Sequence, residues 1–387
     1  MLAQRTTLFG TSGTASARAA AAAAAASGKT IIDLTAGEIW ADLSPDVRAG
    51  AIAAITKGIN RYTDTIGLLE LREALAETLA RQTGQPWKAD EVAVTTGAKQ
   101  ALFNAAMVLL NPGDEVIIPA PYWTTFPAQV LIAGGTPVFV EAPRDTYLPR
   151  VGDIEAALSP RTRAIILNTP GNPTGAIYDA ETLAGIARLA ARRDLWVIFD
   201  ECYGAFAHAP STHQHILAVA PELRERTLIV NAFSKTLALT GWRIGYLAGP
   251  KHVISAVKAL QSHTTSNPNV IAQHAVLAHL KNGDGEYEQT LSEQLRVARR
   301  QGLAILAELR RVPVPAAQGG FYFYLDISAL HSTADNVVNT LLAEAGVAGV
   351  SGSAFGDPNG IRLSYGIPVA QLEGGLRRVV KLLNAWN

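Results

Sequence analysis

From about residue 90 onward the chain alternates short apolar runs with helical stretches. The runs cover residues 91–95, 115–119, 137–140, 164–167, 196–200, 228–231 and 244–248. Several are continuously apolar, as a strand buried on both faces must be. Between them, residues 99–110, 181–192 and 253–261 carry helical periodicity. The alternation predicts an α/β fold built on a mostly parallel, seven-stranded sheet. Ligands on such sheets bind beyond the carboxyl ends of the strands, so chemistry is expected there.

Beyond about residue 280 the pattern changes. A long amphipathic helix is expected over 286–311, then a strand over 320–326, a helix over 335–345, a strand over 360–364 and a last helix over 369–386. These elements predict a smaller α+β domain over 281–387 beside a large α/β domain over 41–280. Residues 1–40 are expected to pack with the small domain. Within them, the eight alanines 19–26 predict a helix stopped at Gly28. Arg5 and Arg18 before that run also suit a signal peptide, but alanine is weakly hydrophobic and no Leu/Val-rich segment follows.

Composition narrows the function classes. Of 387 residues, 48% are apolar, enough for a large core. Lys+Arg and Asp+Glu are equal at 33 each, which gives no pointer to nucleic acid or an acidic membrane. No apolar run approaches the roughly 20 residues that span a bilayer. The single cysteine, Cys202, precludes an intrachain disulfide and suits a reducing compartment, so a cytoplasmic location is expected. His213, His215, His263, His274 and His279 have no carboxylate or cysteine at metal-ligand spacing, so no metal site is expected.

The candidate chemistry lies at strand ends. Ser234-Lys235 follows the 228–231 run, and Arg243-Ile244-Gly245-Tyr246 begins eight residues after Lys235. A buried or charge-flanked lysine attacks carbonyls as the free amine, and a hydroxyl with a guanidinium makes a phosphate clamp. Asp200 ends an apolar strand, with Tyr203 three residues on. Asn172-Pro173-Thr174-Gly175 reads as a turn when taken alone. Thr96-Gly97-Ala98-Lys99 opens a helix, where free N–H groups suit a phosphate, and Trp123 offers a flat ring for stacking. Singly, each has a plain structural reading: an exposed lysine, a helix cap, a turn, core packing.

In this order, together with residues 62–73 (YTDTIGLLELRE), 111–116 (NPGDEV) and 361–365 (IRLSY), these motifs resemble the class I/II aminotransferases, of fold type I among pyridoxal-phosphate (PLP) enzymes. The resemblance covers nearly the whole chain. It implies a ping-pong transfer of an amino group between an L-amino acid and a 2-oxo acid, with PLP held on Lys235 as a Schiff base. It further implies that Asp200 pairs with the cofactor's pyridine nitrogen, that Tyr203 and Asn172 bond its phenolic oxygen, and that Trp123 stacks on its ring. Ala98, Lys99, Ser234 and Arg243 would hold the phosphate. Tyr62 would reach the partner subunit's cofactor in a homodimer. Arg362 and the Gly37 backbone would hold the substrate α-carboxylate. In the aspartate and prephenate branch, a lysine placed like Lys99 faces a distal carboxylate; the alternative is that Lys99 supplies only its backbone N–H.

One segment departs from the family. Where Gly-Glu-Pro-Asp-Phe is usual, this chain has Gly37-Glu38-Ile39-Trp40-Ala41, which makes Trp40 a candidate substrate contact and leaves substrate choice open. A β-lyase, a cyclase or an amino-acid oxidase on the same scaffold stays open too, because the fold does not fix the reaction. A non-catalytic PLP-binding sensor is the remaining alternative.

Overall fold

The computed structural model describes residues 2–386. Its largest sheet runs in the order Val92–Thr95, Gly245–Ala248, Thr227–Ala232, Trp196–Asp200, Thr162–Asn168, Glu115–Ala120 and Thr136–Glu141. The pairings from Thr227–Ala232 across to Thr136–Glu141 are parallel. Every apolar run past residue 90 that reads as a strand before residue 250 lies in this sheet.

Why those runs are continuously apolar follows from the pleat. Val197, Phe199, Ile165 and Ile229 enter one cluster of buried side chains, while Trp196, Ile198, Ile166 and Val230 enter another on the opposite face. Successive side chains alternate faces, and helices cover both, so no position is left for a polar residue. The helix Ala180–Arg192 illustrates the covering layer. Asp179 caps it, accepting from the Thr182 N–H at 2.7 Å, and its Leu183, Ile186, Leu189 and Ala190 face the core.

One strand runs against the others. Gly245–Ala248 pairs antiparallel with both Val92–Thr95 and Thr227–Ala232. Its start, and therefore Arg243 just before it, lies at the edge where the parallel strands end. The reversal is what brings this arginine to the carboxyl edge.

The C-terminal region has its own three-stranded antiparallel sheet, ordered Val350–Ser351, Gly360–Ser364, Tyr322–Asp326. The helices Glu286–Leu306 and Val369–Asn384 pack on one another beside it. The first of these ends five residues short of the expected 311, and the expected 335–345 helix divides into Ala334–Thr340 and a wider π-type turn, Leu341–Ala345. The N-terminal segment joins this region: Ile32–Asp33 pairs parallel with Val347–Ala348, and the Ser364 N–H donates to the Leu34 carbonyl at 2.8 Å. The alanine-rich helix spans Gly13–Ala26, capped by Ser12, and stops at Gly28, whose φ of +88° suits only glycine well. No helix among the described residues is long and apolar enough to cross a membrane.

Candidate active site

The carboxyl edge of the large sheet opens on a cavity of about 690 Å³, whose lining also includes Tyr322, Arg362 and residues of the N-terminal helix. Lys235 reaches it from the single helical turn Phe233–Thr236, which follows the strand Thr227–Ala232 directly. Its Nζ donates to the Gly37 carbonyl. Burial is the main cause that brings the Lys235 ammonium down to a pKa of about 8, with Arg362 and Arg243 adding repulsion. The amine is therefore free at a lower pH than that of an ordinary lysine.

Asp200 ends the fourth strand of the seven and is 4% exposed. Its Oδ1 accepts from the Cys202 N–H at 3.1 Å. Burial pushes its pKa up to about 6, opposed by the bonds from Cys202 and by the charge of Lys235. A buried carboxylate this poorly compensated is matched to a cationic group entering the cavity.

Asn172 and Tyr203 meet above it. Asn172 Nδ2 donates to the Tyr203 hydroxyl at 3.4 Å, and that hydroxyl lies 3.1 Å from the Tyr322 hydroxyl. Asn172 Oδ1 accepts from Arg362 Nη1 at 2.9 Å, while Arg362 Nη2 donates to the Thr35 carbonyl at 2.8 Å. Arg362 is 1% exposed, its guanidinium lies 4.4 Å from the Tyr322 ring centre, and its buried Nε has no partner among the described residues. Such a buried cation, fixed on two sides and free on a third, presents its remaining donors to the cavity.

The fourth group forms a cradle. Gly97, with φ +75°, precedes the helix Ala98–Leu109. A Cβ on Gly97 would stand 2.7 Å from Arg243 Nη2, so only glycine lets the guanidinium lie across the start of this helix. The first-turn N–H groups of Ala98 and Lys99 have no carbonyl partner within the helix. Ser234 and Arg243 line the cavity with them. Lys99 Nζ lies 5.1 Å from the centre of the Trp123 ring, and burial together with Arg243 lowers its pKa.

The fold thus gathers Gly37, Ala98, Lys99, Trp123, Asn172, Asp200, Tyr203, Ser234, Lys235, Arg243 and Arg362 in one cavity wall. Two expected residues lie outside it. Tyr62 is 88% exposed and Trp40 is 78% exposed, and neither lines the cavity of the single chain. Sequence reading missed Tyr322, which sits in an aromatic stretch that reads simply as core. It also missed Cys202, Thr35 and Glu38, and the helix residues Ser12, Thr14 and Arg18. Of these, Glu38 alone lay in a segment already marked as unusual.

With this geometry in hand, comparison with known proteins assigns the family. Residues 29–379 match the family model described as aminotransferase class I and II. The chain belongs to the class I and II aminotransferases. It is 38% identical to an aspartate aminotransferase of Geobacillus stearothermophilus over 99% of both chains. It is 40% identical to an aspartate/prephenate aminotransferase of Cereibacter sphaeroides over 88% of each. Among solved structures, an aspartate aminotransferase of Rhizobium meliloti superposes with a TM-score of 0.95 at 35% identity over the whole of both chains. A Thermus thermophilus aspartate aminotransferase crystallised with maleate gives 0.92 at 37% identity, covering 99% of this chain and 100% of that one. The protein is a PLP-dependent aminotransferase, acting on amino-acid and 2-oxo-acid substrates.

The residues present fit that cofactor. Asp200 has no ion-pair partner among the described residues and suits a protonated pyridine nitrogen. The helix start with Ser234 and Arg243 suits a phosphate. Lys235 is a buried amine of lowered pKa, suited to an aldehyde. Trp123 offers a flat face.

Proposed function

We propose that this aminotransferase acts on dicarboxylic substrates, exchanging an amino group between aspartate or glutamate and a 2-oxo diacid. The observation that carries the reading is a cavity lined by both Arg362 and Lys99. Arg362 is buried, and the charge of Lys99 is answered by no carboxylate among the described residues. Arg362, helped by the Gly37 backbone, takes the α-carboxylate. Lys99 takes the distal one, with Trp123 beside it. The names of the relatives support the same choice.

Bound PLP supplies the electron sink that makes the substrate's α-proton acidic. Lys235 Nζ would hold the cofactor and, when free, is the base placed to take the proton from the substrate Cα. Asp200 holds a proton on the ring nitrogen, which its buried carboxylate favours. Tyr203 and Asn172 orient the ring through its phenolic oxygen. Ala98, Lys99, Ser234 and Arg243 hold the phosphate. Tyr62 fits a role toward a partner subunit, since its ring is exposed here; we read the active form as a homodimer. The division into an N-terminal segment (1–40), a large domain (41–280) and a small domain (281–387) is part of this reading, as is a cytoplasmic location.

The test is a comparison of kcat/KM for aspartate with 2-oxoglutarate against alanine with pyruvate, on the purified holoenzyme. An advantage of at least about 100-fold for the diacid pair is expected from one charge-assisted contact in a closed site. Equal values would overturn the substrate assignment and leave the cofactor chemistry untouched.

A further inference from the structure

The helix Gly13–Ala26 is nearly featureless: fourteen residues, ten of them alanine, and a single charged side chain, Arg18. That side chain lines the active-site cavity. Its Nη2 lies 3.1 Å from Glu38 Oε1, and the other oxygen of Glu38 accepts from the Thr240 hydroxyl at 3.0 Å. Glu38 follows Gly37, whose carbonyl receives Lys235, and Thr240 lies three residues before Arg243. One carboxylate therefore ties the N-terminal helix to the segment beside the reactive lysine and to the turn before the phosphate-binding arginine.

The cations of the cavity wall have different partners. Arg362 is held by Asn172 and Thr35, Arg243 donates to the Thr240 carbonyl, Lys235 to Gly37, and Lys99 lies by Trp123. Arg18 alone among them is paired with a carboxylate of the rim. That pair keeps 66% and 40% of its side-chain surface in water, so it is weak and exchanges readily.

We propose that Glu38 is a resident stand-in for the distal carboxylate of a dicarboxylic substrate, and that Arg18 leaves Glu38 for that carboxylate when the substrate binds. Arg18 is then a specificity-determining residue, acting beside Lys99. Release of product restores the Arg18–Glu38 pair. The inference rests on the dicarboxylate reading given above.

The test measures binding of succinate and of propionate to the PLP-loaded holoenzyme, read by the change in cofactor absorbance. Both probes carry one carboxylate for Arg362, and only succinate carries a second. Arg18→Gln should raise the Kd ratio of succinate to propionate by about tenfold. Glu38→Gln should move the ratio the other way, by roughly threefold, because the resident competitor is gone. Both positions are partly exposed, so the variants are expected to fold. Arg18→Lys should fall between wild type and Arg18→Gln, since a lysine keeps the charge but not the fork. If Arg18→Gln leaves the ratio within about twofold of wild type while Lys99→Ala abolishes the preference, Arg18 has no such role. If both substitutions move the ratio in the same direction, the exchange is wrong. A wild-type enzyme with no preference for succinate would instead sink the dicarboxylate reading itself.

Discussion

At the floor of the cavity Asp200, Asn172, Tyr203 and Arg362 are 4%, 5%, 6% and 1% exposed, and each is held by bonds to another part of the chain. At its mouth Arg18 and Glu38 keep 66% and 40% of their side-chain surface, and Trp40, two residues past Glu38, is exposed. Asp200 ends a strand of the large sheet, Tyr203 follows it by three residues and Arg362 lies within a strand of the small sheet, so burial and bonding hold the floor in place. The mouth is made of a mostly alanine helix and a connecting segment that few bonds restrain. Chemistry that must place a proton to within a fraction of an ångström belongs on the floor. Choice among substrates, which must admit and release them, belongs at the mouth. The departure from the family's usual pattern, Ile39-Trp40-Ala41, directly follows Glu38 at the mouth.

The sharpest way to break this division is Lys235→Ala. Loss of both cofactor attachment and proton transfer should lower kcat for every substrate by at least about 10⁴-fold, regardless of side chain. Borohydride treatment followed by mass spectrometry should find no cofactor on the chain. A variant that kept wild-type turnover would remove the floor from the chemistry altogether.

A second test uses burial. Because burial depresses the Lys235 pKa to about 8, its free amine appears at lower pH than that of an ordinary lysine. The sign is that of a base whose charged form is disfavoured: the amine is mostly free above about pH 8 and protonated below it. The rate at which cofactor-free protein takes up PLP should therefore rise with pH, with its half-point near 8 and a plateau above it. At pH 7.5 it should be roughly 100-fold faster than an exposed lysine would allow. A half-point above pH 10 would mean that the floor is wet.

The smallest effect is expected at the mouth, and it should be selective. Lys99→Ala should raise KM for aspartate and 2-oxoglutarate by about tenfold, with a much smaller change for alanine. Equal changes would show that Lys99 serves the phosphate alone, and would move the boundary between floor and mouth inward by one residue.

Much of this was legible in order along the chain. A strand buried on both faces must be apolar at every position, so Trp196–Asp200 and its neighbours announce themselves, and the acid at the end of such a strand is conspicuous. Gly97 is legible for a similar reason, because only glycine tolerates its backbone and leaves room for Arg243. The helix Gly13–Ala26 follows from alanine's propensity, and its end from Gly28. These are local demands, and local sequence carries them.

What the chain does not spell out is who meets whom. Apolar periodicity marks a strand but not its direction, and it is the reversed direction of Gly245–Ala248 that sets Arg243 at the carboxyl edge. His213 and His215 have no carboxylate near them in sequence, yet His213 Nε2 lies 3.0 Å from Glu201 Oε2 once the strand and the loop are packed. Arg18 reads as one charge before an alanine run, and only packing of the N-terminal segment against the small sheet turns it toward Glu38 and the cavity. The sequence by itself determined the elements, because a buried strand or a tight turn accepts few residue types, and its motifs in order carried the resemblance that implies the cofactor chemistry and the residues around it. The tertiary structure alone decided the mouth, because contacts between residues 20 to 200 positions apart depend on how whole elements dock, and no local preference encodes that.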